Sequence, residues 1–113
     1  MQLSASQVGD ALIVVVEDRR IDAAVAVRFK DRMHELTRAS PARVILDLGK
    51  VEFLDSSGLG AIVGSMKQIG RDRQLDLAAL TPMVEKVFRI TRMDRVFQIF
   101  ATVDAAIRDA ADA

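Results

Sequence analysis

Apolar residues fall along this chain in two alternating rhythms. Ala11-Leu12-Ile13-Val14-Val15-Val16 is apolar without a break and rich in β-branched side chains, the pattern of a strand covered on both faces. Asp10 to Glu17 therefore reads as one strand and Leu3 to Gln7 as another, and the short turn at Gly9 makes them an antiparallel pair. The rhythm then changes. Ala26, Phe29, Met33 and Leu36 recur at helical spacing, while Arg28, Lys30, Asp31, Arg32 and Glu35 look outward. The spacing predicts a helix that begins at Asp22 as its N-cap and stops at Ser40-Pro41. Arg43 to Leu48 is again a strand, apolar apart from Arg43 and Asp47.

The second half repeats the alternation. A short apolar run, Val51 to Leu54, leads into Asp55-Ser56-Ser57-Gly58-Leu59-Gly60. From there Leu59, Ile62, Val63, Met66 and Ile69 form one helical stripe that ends at Gly70. Leu75 to Leu80 reads as a buried strand. Thr81-Pro82 is a helix start, a cap followed by proline at the first position, with Val84, Val87 and Phe88 on the inner face. Phe97 to Phe100 predicts a last short strand, and Asp104 to Ala111 an alanine-rich helix packed through Ile107. Strands alternating with helices imply an α/β fold with a mostly parallel sheet of four to five strands and about four helices.

With 113 residues and no repeat, linker or low-complexity tract, one domain over residues 1–113 is expected. Sixteen basic residues balance sixteen acidic ones, so there is no overall field to draw in nucleic acid or an anionic membrane. One histidine and no cysteine argue against a zinc site, a thiol nucleophile or a disulfide framework. No metal and no cofactor are expected. The longest apolar run, Ala11 to Val16, is far short of the ~20 residues of a spanning helix. Met1-Gln2-Leu3-Ser4 carries neither a basic nor a long apolar region, so the expectation is no secretory leader and a cytoplasmic location.

The chemistry-bearing candidates are few. Ser56 and Ser57 stand at a strand-to-helix turn, where free backbone N–H groups and the helix dipole favour negative charge. That suits a bound or covalently added phosphate. It equally suits simple capping by Asp55, Ser56 or Ser57, and Ser57 is the hydroxyl placed to turn inward as a cap. Asp47 and Asp55 could meet at neighbouring strand ends, more as a polar setting for Ser56 than as an acid–base pair. His34, among charged neighbours in the first helix, reads as a solvated surface residue. Off the apolar stripe of the second helix lie Ser57, Gly60, Ala61, Gly64 and Ser65, all small. Two helical glycines cost roughly 1 kcal/mol each relative to alanine, offset either by close internal packing or by a flat docking surface for a partner. Arg89, Arg92 and Arg95 recur every third residue as a solvated or partner-facing cluster, and Arg19 and Arg20 matter only if the fold brings them to the serine turn.

Taken together, the strand pair, Ile21-Asp22, Val44-Ile45-Leu46-Asp47-Leu48, Phe53-Leu54-Asp55-Ser56-Ser57-Gly58-Leu59-Gly60, Met66-Lys67-Gln68-Ile69 and Thr81-Pro82 with Val87-Phe88 resemble the STAS domains. Within them the chain is most similar to the bacterial anti-sigma factor antagonists, over essentially its whole length. The resemblance implies a non-enzymatic binding switch. Ser56 would be phosphorylated by a partner that is both a serine kinase and an anti-sigma factor. The unmodified antagonist holds that partner, the phosphorylated form releases it, and a PP2C-type phosphatase resets the switch. Asp22 and Asp55 would line the site beside Ser56; the reading of the small residues as a docking surface adds Ser57, Gly58, Gly60 and Gly64 as partner-binding candidates. Arg19 and Arg20 stand where the family usually has a glycine. The alternative is a small nucleotide- or ligand-binding STAS module of a transport or stress-signalling assembly, which would want a lysine or a glycine-rich cradle near Ser56.

Overall fold

Gly9, with a left-handed φ of 58°, closes the turn between β1 (Leu3–Val8) and β2 (Ala11–Val16), a conformation glycine adopts without steric cost. The chain continues through β3 (Arg20–Ile21), α1 (Ala26–Thr37), β4 (Arg43–Asp47), β5 (Phe53–Leu54), α2 (Ser56–Ile69), β6 (Gln74–Ala78) and α3 (Pro82–Ile90). A 3₁₀ turn (Met93–Arg95), β7 (Ile99–Phe100) and α4 (Val103–Asp112) complete it. This computed structural model describes residues 1–112; Ala113, the last residue of the expected domain, lies outside them.

Five strands form one sheet in the order β1-β2-β4-β6-β7, with only the β1–β2 pair antiparallel. The expected α/β domain with a mostly parallel sheet and four helices is therefore present. Because side chains alternate across a strand, β2 divides its apolar run between two faces. Val14 and Val16 join Val44, Leu46, Leu75 and Leu77 in the main core, together with Phe29 and Met33 of α1, Ile62 of α2 and Phe88 of α3. Ala11 and Ile13 join Ile45 and Ala78 under α4. Each fully buried Phe or Leu in these clusters contributes about 1.5–3 kcal/mol.

Three expectations need correction. The first helix starts at Ala26, not Asp22. Residues 22–25 make a turn, in which the Asp22 carboxylate accepts from the Ala24 N–H at 3.1 Å and its carbonyl from the Val25 N–H at 3.1 Å. Thr81 is the N-cap of α3 with Pro82 following, as expected, but its hydroxyl makes no capping hydrogen bond; it donates instead to the Val51 carbonyl at 2.7 Å and ties down the loop before β5. The terminal helix packs mainly through Ala106 and Ala110, with Ile107 only partly buried, because alanines let it lie close to the sheet. The Phe97–Phe100 strand shortens to Ile99–Phe100, since Phe97 turns into the core to meet Phe88 edge-to-face at 5.9 Å.

One buried ionic group had no signal in the apolar pattern. Asp76, fully buried in β6, accepts from Arg43 Nη2 at 2.5 Å, Arg43 Nε at 3.0 Å and Gln74 Nε2 at 2.7 Å. Arg43 also reaches Asp109 of α4 at 2.8 Å. Burial works against the charge on Arg43, but the hydrogen bonds to Asp109 and Asp76 outweigh it and raise its pKa. The group ties α4 to the start of the sheet.

Candidate functional site

Beyond the ends of the main strands, β3 and β5 pair in parallel as a separate two-stranded sheet, with Arg20 opposite Phe53 and Ile21 opposite Leu54. The N–H groups of Glu52 and Phe53 both donate to the Arg19 carbonyl, at 2.7 and 3.1 Å. Ile21 and Leu54 point into the core. Two-residue strands are too short to announce themselves by periodicity, yet this pairing brings residues 19–22 against the serine turn. Arg19 and Arg20 thus arrive where the sequence could only leave the question open.

Asp55 is the hinge pin of the site. It is the N-cap of α2, in extended conformation, with Oδ1 accepting from the Gly58 N–H at 2.8 Å. Its Oδ2 accepts from the Ala23 N–H at 3.1 Å, so one carboxylate joins the helix start to the turn after β3. Asp22 lies alongside, with Oδ2 accepting from Arg20 Nε at 3.3 Å. The Arg20 guanidinium stacks over Phe53, its carbon 4.1 Å from the ring centroid. Charge, ring and carboxylate are therefore arranged on the exposed side of the small sheet.

Capping by Asp55 leaves both serines free. Ser56 and Ser57 are exposed in the first turn of α2, and neither hydroxyl makes a hydrogen bond among the described residues. The expectation that Ser57 turns inward as a cap is not met, because Asp55 already occupies that role. Gly58 is buried rather than part of an open surface. A Cβ there would stand 2.0 Å from the Ile21 carbonyl oxygen, so only glycine lets the helix approach β3 so closely.

The remaining small residues divide in the same way. Ala61 and Ser65 are buried, and the Ser65 hydroxyl donates back to the Ala61 carbonyl at 2.9 Å. Gly60 is open, with nothing within 4 Å of an added Cβ. Gly64 is half-covered by the aliphatic end of Lys30 from α1, with Lys30 Cε 3.0 Å from where a Cβ would stand. The outward face of α2 is thus Ser56, Ser57, Gly60, Gly64, Lys67 and Gln68.

The other candidates stay apart from this constellation. Asp47 accepts from the Gly49 N–H at 2.8 Å and shapes the turn after β4. His34 is exposed on α1, and Arg89, Arg92 and Arg95 are exposed along α3 and the 3₁₀ turn. Among the described residues no three His, Asp or Glu side chains converge as metal ligands. No described helix is long and apolar enough to cross a membrane. A cavity of about 440 Å³ opens at the opposite end of the sheet, between Arg43, Gln74, Asp76 and Gln98, and does not include Ser56.

Residues 2–106 match the STAS domain. The chain belongs to the STAS domain family. Among its relatives, the anti-sigma-F factor antagonist RsfB of Mycobacterium tuberculosis is 25% identical over 87 residues, covering 77% of this chain and 71% of that protein. The anti-sigma-B factor antagonist of Listeria monocytogenes is 30% identical over 80 residues, 70% of each chain. In fold, the STAS chain is similar to an anti-sigma factor antagonist from Mycobacterium paratuberculosis, with a TM-score of 0.86 and 23% identity over 96% of this chain and 92% of that one.

Proposed function

We propose that this STAS domain is an anti-sigma factor antagonist that acts by binding, not catalysis, and is switched at Ser56. The unmodified protein holds an anti-sigma factor that is also a serine kinase, and thereby frees a sigma factor in the cytoplasm. The kinase transfers the γ-phosphoryl group of ATP to Ser56 Oγ: the new O–P bond replaces the bond to the β–γ bridging oxygen, ADP leaves, and the hydroxyl proton passes to a base of the kinase. A PP2C-type phosphatase hydrolyses the phosphate and restores binding. The names of the relatives support the general role. The observation that carries the switch is the free, exposed Ser56 hydroxyl beside a helix whose cap is already supplied by Asp55.

The physics of the turn fits this reading. A phosphoserine adds a charge of about −1.5 to −2 and three acceptor oxygens. At a helix N-terminus that charge is favourable locally, so the antagonist stays folded. Against a closely docked partner it is bulky and costly to desolvate. A penalty of about 3 kcal/mol would weaken the complex more than a hundredfold. Partner contact would run from Asp22, Asp55, Ser56 and Ser57 along Gly60 and Gly64, with Gly58 holding the turn in shape from beneath. A nucleotide-binding module is the weaker reading, because the sequence around Ser56 offers no lysine-bearing phosphate loop, and Lys50 pairs with Glu17 while Lys30 lies over Gly64. Incubation with the kinase and ATP should label Ser56 in the wild type and leave Ser56→Ala unlabelled. In pull-downs Ser56→Ala should retain the kinase and Ser56→Asp should hold it weakly. Labelling that persists in Ser56→Ala would overturn the assignment.

A further inference from the structure

We propose that Arg20 receives the phosphate of phosphorylated Ser56 and clamps it to the domain, an inference that rests on Ser56 being the modified residue. Two contacts hold the arginine ready and leave one edge of it free. Phe53 supports the flat of the guanidinium at 4.1 Å, and Asp22 takes the Nε edge at 3.3 Å. The two Nη nitrogens make no hydrogen bond among the described residues, and the side chain is 60% exposed. That free edge is the planar pair of donors that matches two phosphate oxygens.

The register places it within reach. Arg20 is opposite Phe53, three residues before Ser56, which is a distance of about 10 Å along a strand. From its place over Phe53 the Arg20 side chain reaches Asp22, on the Ser56 side of the small sheet. Asp55, adjacent to Ser56, is tied to Ala23, adjacent to Asp22, which keeps the two loops together. The electrostatics require a counter-charge. Without one, a doubly negative group would stand beside the carboxylates of Asp22 and Asp55. Arg20 can bind the phosphate through Nη1 and Nη2 while Nε stays on Asp22, so Asp22 orients the arginine that offsets its own repulsion. Arg19 is one residue away and equally charged, but it lies in the bend before β3 and has neither the Phe53 ring nor the Asp22 carboxylate to hold it. It therefore contributes general charge without the clamp.

The test installs phosphoserine at position 56 during translation, with no kinase involved, and follows the second ionisation of the phosphate by phosphorus NMR. In wild type the pKa should lie about half a unit to one unit below that in Arg20→Ala, the size expected of a charge partner at a screened surface. Arg19→Ala should titrate with the wild type. Arg20→Gln keeps much of the side-chain length without the charge and should match Arg20→Ala, so it serves where the alanine variant does not fold. Equal pKa values for wild type and the Arg20 variants would overturn the clamp, as would an Arg19→Ala effect as large as that of Arg20→Ala. Failure of a kinase to label Ser56 bears only on the proposed function, because the phosphate here is introduced independently.

Discussion

The two sides of α2 are built from the same kinds of residue and do opposite things. Toward the core, Gly58, Ala61 and Ser65 are buried, and Gly58 admits the Ile21 carbonyl to where a side chain would otherwise be. Away from it, Ser56, Ser57 and Gly60 are exposed, and an added Cβ at Gly60 meets nothing. Smallness on the inner side is a packing requirement. On the outer side an added Cβ at Gly60 meets nothing, so packing within the domain does not require glycine there. The docking surface of the proposed switch is accordingly assigned to the outer side, and the buried Gly58, Ala61 and Ser65 fall outside it.

The contrast can be broken most forcefully at Gly58. Gly58→Ala should lose about 3 kcal/mol, because the methyl group must displace backbone rather than a flexible side chain; a denaturant midpoint equal to that of wild type would erase the distinction between the faces. Ser65→Leu should cost about 1–3 kcal/mol by overfilling the buried contact beside Ala61, read from the same unfolding curves. On the outer side the sign reverses. Gly60→Ala should gain about 1 kcal/mol from the lower backbone entropy cost, and a destabilised variant would show that this face is packed after all. Smallest is Ser56→Asp, expected to shift stability by about 0.3–0.5 kcal/mol upward through the helix dipole. A melting temperature well below that of wild type would make Ser56 a structural residue and weaken the case for a switch.

Long elements were legible because their apolar periodicity has only one folded solution. The six-residue run Ala11–Val16 could be satisfied only by cover on both faces, and the stripe from Leu59 to Ile69 only by a helix lying on a sheet. The α/β alternation and the place of the serine turn followed from these. Short elements were not legible. Arg20–Ile21 and Phe53–Leu54 pair over two residues each, which is less than one period of any pattern, and the helix expected from Asp22 gave way to a turn held by the Asp22 carboxylate. Nor could spacing tell that Asp76 is buried, since Arg43, which donates to it, is 33 residues away, and Asp109, which shares that arginine, is 66 residues from Arg43.

The order of residues thus determined the strands, the helices and the presence of hydroxyls at a helix start, because these depend on neighbours within a few positions. Which hydroxyls remain free, which glycines are filled from outside and which arginine stands beside the turn were decided only when β3 came against β5. The Asp55 carboxylate bonds at once to the Gly58 and Ala23 N–H groups, three and thirty-two residues away, and so relieves both serines of capping. That division of labour is a property of tertiary contact: a carboxylate with two oxygens can serve two segments only after the fold has brought the second one within hydrogen-bonding distance.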